Sequence, residues 1–208
     1  LAQSEAAGTA ASDGLDEVEE VIVTAQRRAE RLQDVPIAIT VQSGEQLAKA
    51  GVTNLRDLTA VAPGVRIAGA GANTQPSIRG VQSQQTDPGN DPNVAVYIDG
   101  VYQANQISNS FDLPDVQQIE VLKGPQGTLF GRNATGGALN ITTKAPGPDF
   151  EGQIKSHLGS YGTWGLTGVV NAPVVDDKFF VRAMVNYEES DGFVYNVNPA
   201  GGRSDYQL

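Results

Sequence analysis

The stretch IEVLKGPQGTLFGRNATGGALNITTK, Ile119 to Lys144, decides how the rest of the chain is read. It begins and ends as strand, with a glycine-dense turn between. Gly124, Gly127, Gly131, Gly136 and Gly137 fall within fourteen residues. Glycine admits backbone conformations closed to other residues and lets chains approach closely. Five of them between two apolar strands predict a folded, tightly turned loop, not a slack linker.

Working outward, Val35 to Ala145 reads as a small α+β unit. Pro36 to Val41 is a predicted strand. Ser43 opens a short helix, with Gln46 placed to complete a capping box, and Gly51 ends it. A second helix starts near Thr53 or Asn54, with Leu55, Leu58 and Val61 on one face, and Pro63-Gly64 stops it. Val65–Ala70 and Ser77–Arg79 are short extended pieces. Asn93–Ile98 is a strand whose following Asp99-Gly100 is a hairpin-turn signal. Val116–Leu122 and Leu139–Thr143 are further strands. Gln82–Pro92 and Gln103–Ser110 are polar loops.

After Pro146-Gly147-Pro148 the pattern changes to long alternating segments. Gly152, Ile154, Ser156 and Leu158 oppose Gln153, Lys155 and His157. A turn at 159–162, a strand over Thr163–Val174, a turn at Asp176-Asp177 and a strand over Phe179–Glu189 follow. In the last, Val181, Ala183, Val185 and Tyr187 oppose Arg182, Asn186 and Glu188. Such alternation fits the wall of a transmembrane β-barrel. It fits any half-solvated antiparallel sheet equally well.

Composition sets outer limits. The 24 glycines and 11 prolines, against six Phe, six Tyr and one Trp, favour turns and short strands. A net charge of −10 with no basic patch argues against nucleic acid as a partner. Cysteine is absent, which rules out disulfides and thiolate metal sites in these residues. The one histidine, His157, reads as an ordinary strand residue, so no metal or other cofactor is expected. No run of apolar residues is long enough for a membrane-spanning helix. Residues 3–18 have the polar, small-residue composition of a disordered segment. Leu1 to Asp34 holds eight acids and three arginines, yet carries the strand-forming run Val21-Ile22-Val23-Thr24.

The glycine-dense motif, with Ile78-Arg79-Gly80 and Val96-Tyr97-Ile98-Asp99-Gly100 upstream, closely resembles the plug domain of TonB-dependent outer-membrane receptors. The resemblance covers nearly the whole chain. It implies an α+β plug, a small mixed sheet with short helices, followed by the first antiparallel strands of a transmembrane β-barrel. The implied divisions are a flexible tail with a TonB box over 1–34, the plug over 35–148 and the first barrel strands over 149–208. Barrels of this type have roughly 22 strands and a plugged lumen.

Further roles follow from the resemblance. Glu20, Val21, Ile22, Val23, Thr24 and Ala25 look like the TonB box, which engages the partner TonB and its inner-membrane energising complex by strand addition. The plain alternative is an N-terminal strand paired within the plug. Arg79 and Arg132 match plug arginines that contact the barrel wall. With wall carboxylates beyond residue 208, they stand exposed or pair with Asp99 or Glu120. Gln82, Gln84, Gln85, Asp87, Asn90, Asp91, Asn105 and Gln106 are candidates for the apical floor of a ligand site. The implied role is TonB-energised uptake, with a ferric siderophore the leading ligand and cobalamin or an oligosaccharide the alternatives. The implied location is the outer membrane, with barrel strands in lipid and the tail in the periplasm.

No enzyme is read here. The glycine-rich loop lacks the Gly-Lys-Ser/Thr of a phosphate cradle, Gly69-Ala70-Gly71 lacks the third glycine of a dinucleotide fingerprint, and no Gly-x-Ser-x-Gly elbow occurs. A soluble periplasmic binding or signalling module built on 35–145 alone is the competing reading. Leu1-Ala2 is similar to the end of a secretory leader, with cleavage expected after Ala2. Tyr206-Gln207-Leu208 reads as a break in an extracellular loop or the strand after it.

Overall fold

The computed structural model describes residues 22–24, 30–70, 73–83, 91–104, 113, 115–131 and 133–192. A five-stranded sheet lies at its centre. Its strands are β3 (Ala38–Ser43), β6 (Val94–Ile98), β7 (Val101–Tyr102), β8 (Val116–Lys123) and β9 (Gly137–Thr143), in the order β3-β8-β9-β6-β7. Neighbours are antiparallel except β6 and β9, which run parallel. Two small hairpins attach to this sheet. One joins β1 (Ile22–Val23) to β2 (Glu30–Arg31), the other β4 (Val65–Ala70) to β5 (Asn73–Ile78).

The helices form where the sequence supplies caps. Helix α1 (Gly44–Lys49) starts at Ser43, whose side chain takes the Gln46 N–H at 3.2 Å while Gln46 takes the Ser43 N–H at 2.9 Å. Asn54 and Asp57 make a similar reciprocal cap for a 3₁₀ turn, Leu55–Asp57, that runs into α2 (Leu58–Val61). These caps satisfy N–H groups that a helix start otherwise leaves open.

Alternation along the central strands gives the sheet two apolar faces. Ile119, Val121, Leu139, Ile141, Val94 and Val96 pack with Leu47, Leu55 and Leu58 beneath the helices. On the opposite face Leu122, Ala138, Ala95 and Tyr97 pack with Phe130, Ala134 and Val23. The glycine-dense segment is folded, as its composition predicts. It also contains one helical turn, α3 (Gly127–Phe130), that the sequence reading did not anticipate. Gly137 has φ +143°, and a methyl there would meet the Leu122 carbonyl and Ile78 Cδ1. Asp99 and Gly100 both have positive φ, the geometry of a tight hairpin turn.

A separate three-stranded antiparallel sheet follows: β10 (Glu151–Leu158), β11 (Trp164–Val175) and β12 (Phe179–Glu189). Its register puts Glu151, Asn171 and Arg182 in one row, Lys155, Thr167 and Asn186 in another, and His157, Gly165 and Glu188 in a third. These rows face the plug. The other face carries Ile154, Leu158 and Val185, which are 81%, 89% and 71% exposed, so no described residue covers it. Trp164 and Tyr187 pack with tilted rings at one rim of that face, ring centres 5.2 Å apart. Phe150 and Phe179 are exposed at the other rim.

Candidate functional site

The tail strand lies on the plug sheet. Val23 is fully buried in the second apolar cluster, a contribution of about 1.5–3 kcal/mol. Beside it sits Glu120, which β8 projects from the middle of the sheet and which has no exposed surface. A buried carboxylate needs donors, and four groups supply them. Thr24 donates its N–H at 2.7 Å and its hydroxyl at 3.2 Å, Gln118 its Nε2 at 2.8 Å, and Asn140 its Nδ2 at 3.1 Å. Asn140 also donates to Thr24 Oγ1 at 2.9 Å, and Gln118 to the Ile22 carbonyl at 3.2 Å. The described part of the predicted TonB box, Ile22, Val23 and Thr24, is therefore paired within the plug. Glu20, Val21 and Ala25 lie outside the described residues.

The far end of the sheet holds the stems of the polar loops. Asn93 closes the Gln82–Pro92 loop: its N–H donates to Ser83 Oγ at 2.7 Å and its side chain to the Gln82 carbonyl at 2.9 Å. Asn133, at φ +77°, donates to Asp91 Oδ1 at 3.0 Å and to the Tyr102 hydroxyl at 2.8 Å. Tyr97 donates to the Phe130 carbonyl at 2.7 Å. The glycine-dense turn thus fastens a loop stem to the apolar cluster that contains Val23. Of the candidate ligand residues, Gln82 and Asp91 are described, and both are exposed. Gln84, Gln85, Asp87, Asn90, Asn105 and Gln106 lie outside the described residues.

Plug and wall meet through the row nearest the start of β8. Arg182 forks onto Asp115, Nε to Oδ2 at 2.5 Å and Nη2 to Oδ1 at 2.9 Å, with Glu151 at 3.6 Å from Nη1. Asn171 accepts the Gly147 N–H at 2.9 Å and donates to the Gly147 and Asp149 carbonyls. Each of the three wall strands contributes one of these side chains. In this pair the arginine belongs to the wall and the carboxylate to the plug, so it is a contact additional to the expected ones of Arg79 and Arg132. Arg79 is exposed in the turn after β5, at φ +52°, and its carboxylate candidates are engaged elsewhere. Asp99 accepts from Thr143, and Glu120 from the groups named above. Arg132 lies outside the described residues.

Between α1 and the wall is a cavity of about 390 Å³, lined in part by Leu47, Val52, Lys144, Lys155 and Glu188. His157 also lines it. Its ring crosses over Gly165 to place Nε2 3.2 Å from Glu188, a crossing that a side chain at 165 would block. On α1 the exposed Lys49 hydrogen-bonds and attracts Glu45, holding that carboxyl below its usual range. So exposed a pair says little about stability.

The sequence reading gave no role to Gln118, Asn133, Asn140, Asn171 or the Asp115–Arg182 pair. A signal was present in Glu120, Asn140 and Asn171. Each is a polar residue in a strand of otherwise β-favouring character, where a buried position demands a partner.

The comparisons with known proteins agree with this geometry. A family model described as the TonB-dependent Receptor Plug Domain matches residues 31–138. The pesticin receptor of Yersinia pestis is 34% identical over 89% of this chain and 27% of its own length. The catecholate siderophore receptor Fiu of Escherichia coli is 31% identical over 76% of this chain and 20% of its own. Among solved structures, the ferric yersiniabactin uptake receptor FyuA from Yersinia pestis superposes with a TM-score of 0.73 at 34% identity, over 81% of this chain and 26% of that one. The chain spans about a quarter of the length of the pesticin receptor.

Proposed function

Since the chain belongs to the family of TonB-dependent receptor plug domains, we propose that it is the plug and first wall strands of an outer-membrane receptor that takes up a ferric siderophore. The observation that carries this reading is the 34% identity with the ferric yersiniabactin uptake receptor over 81% of this chain. The tail occupies 1–34, the plug 35–148 and the wall 149–208. The uncovered apolar face of the wall meets membrane lipid. From Phe179 to Tyr187 it spans about 27 Å of strand at ~3.4 Å per residue. At the usual tilt that is roughly 20 Å of height, comparable with the apolar band about 25 Å tall of outer-membrane barrels. A soluble periplasmic module has no use for such a face.

In operation the polar loops beyond Gln82 and Gln103 receive the ligand on the outer side. Arg79 and Arg132 meet wall carboxylates contributed from beyond residue 208. The tail run Glu20–Ala25 engages TonB by main-chain strand addition, which supplies affinity with little dependence on side chains. The test is Ile22→Pro in the complete receptor. It removes an N–H and fixes φ at one position of that strand. Uptake of labelled ferric siderophore by whole cells should be abolished while equilibrium binding persists. Normal uptake by the variant would remove the tail strand from the mechanism.

A further inference from the structure

The hydrogen bonds that hold the tail have a specific form. Gln118 and Glu120 are two residues apart on β8, so both project from the same face of the sheet. Gln118 donates to the Ile22 carbonyl, and Glu120 accepts from the Thr24 N–H. The carbonyl of residue i−1 and the N–H of residue i+1 are the two groups that a parallel neighbouring strand uses, flanking residue i. Here residue i is Val23, and two side chains stand where one backbone residue would. We propose that Gln118 and Glu120 form a surrogate strand edge on the side of the tail strand away from β2, so that a strand added there must displace them. This rests on the reading of the tail as the partner-binding segment.

The chemistry suits a fastener that opens. If the interaction served packing alone, an apolar residue at 120 would serve without the desolvation of a carboxylate. A carboxylate held by four donor groups, two of them on the tail, is different. When the tail leaves, Glu120 loses the Thr24 N–H and hydroxyl and gains water, and Asn140 exchanges Thr24 Oγ1 for water. For a tail that keeps its pairing with β2, the cost of opening is thereby limited, and it falls mainly on the apolar contact of Val23. Gln118 and Glu120 are thus positioning residues. They set the fraction of time for which the tail is presented, without touching ligand.

The experiment is hydrogen exchange on the complete receptor in detergent, reading peptides that contain residues 22–24 and, as an internal control, 137–143. Glu120→Ala should raise the opening ratio of the tail peptide on the order of tenfold or more, as expected for loss of a hydrogen bond to a charged group. Glu120→Gln keeps an acceptor oxygen and should recover part of the protection. The control peptide should not change. If Glu120→Ala loosens the whole sheet, the control peptide reports it, and Thr24→Val then tests the clasp from the tail side. That variant should also raise exchange, and less than additively with Glu120→Gln. Wild-type protection of the tail in Glu120→Ala, with the sheet intact, would overturn the proposal, as would wild-type protection in Thr24→Val. Adding the periplasmic domain of TonB separates the two readings. Faster exchange with tighter partner binding supports both. Faster exchange with no partner binding in any variant keeps the clasp and removes the partner role.

Discussion

Arg182 of the wall and Asp115 of the plug are joined as fork to fork, with both side chains only 12% exposed. Asp115 immediately precedes β8, the strand that also carries Gln118 and Glu120. One strand of the plug is therefore tied to the wall at its base and to the tail at its middle. Removing one partner of a well-buried pair leaves the other charge without compensation, typically at about 3–5 kcal/mol. Glu151, 3.6 Å from Arg182, softens this for changes at Asp115. Asp115→Asn should cost about 2–3 kcal/mol and Arg182→Gln somewhat more. Thermal unfolding of the complete receptor in detergent would show it, and the double variant should lose less than the sum. Additive losses would mean that the pair does not couple plug to wall.

Gly137 is the glycine whose replacement should be least tolerated. Gly137→Ala combines a strained φ with contact against the Leu122 carbonyl and Ile78. Together these should cost about 2–4 kcal/mol. Gly127→Ala is the matched control, because it lies in α3 with open space around it. It should be neutral or stabilise by about 0.5–1 kcal/mol. Protease resistance of the plug in purified receptor should separate the two. Equal resistance would show that the close approach at Gly137 is not a constraint.

Asn133 offers a test of the loop site. Asn133→Gly keeps the positive φ and deletes the bonds to Asp91 and Tyr102. Two neutral or charge-assisted hydrogen bonds are worth about 1–3 kcal/mol together. If the loop over 82–92 forms part of the ligand floor, loosening its stem should lower siderophore affinity about three- to tenfold, as less of the protein holds the competent loop. Fluorescence-quenching titration of the complete receptor would measure this. Unchanged affinity would place the ligand elsewhere.

How much of this was legible in the sequence depended on whether an interaction is local. The Ser43–Gln46 cap, the Asp99-Gly100 turn and the three alternating wall strands each depend on residues within one turn or one strand. Their patterns are visible without a fold. The paired hairpin β4–β5 was read only in part, since Pro76 and masking polar residues hide the second strand's alternation. Nothing local marks Asp115 as the partner of Arg182, which is 67 residues away, or Glu120 as that of Thr24, 96 residues away. Those pairings exist only once the sheet order is known. The resemblance implied plug arginines at Arg79 and Arg132, and the Asp115–Arg182 pair is a further contact, with the carboxylate on the plug and the arginine on the wall.

The wall sheet permits the sharpest test of the membrane reading, because adjacent residues on one strand face opposite environments. Val185 is 71% exposed on the uncovered apolar face, and Asn186 lies in the inner row with Lys155 and Thr167, bonded to Thr167 at 2.7 Å. If that outer face meets lipid, Val185→Lys should destabilise the folded barrel by about 2–4 kcal/mol, since a lysine near the bilayer midplane must be dragged from water. Asn186→Lys should cost under about 1.5 kcal/mol, a loss of side-chain hydrogen bonding in a polar interior. If the sheet instead faced water, the order would reverse, because lysine at a solvated strand position is nearly neutral. Reversible unfolding of the complete receptor in lipid vesicles, compared between these two variants, decides it. Tolerance of Val185→Lys together with damage from Asn186→Lys would exclude the barrel wall.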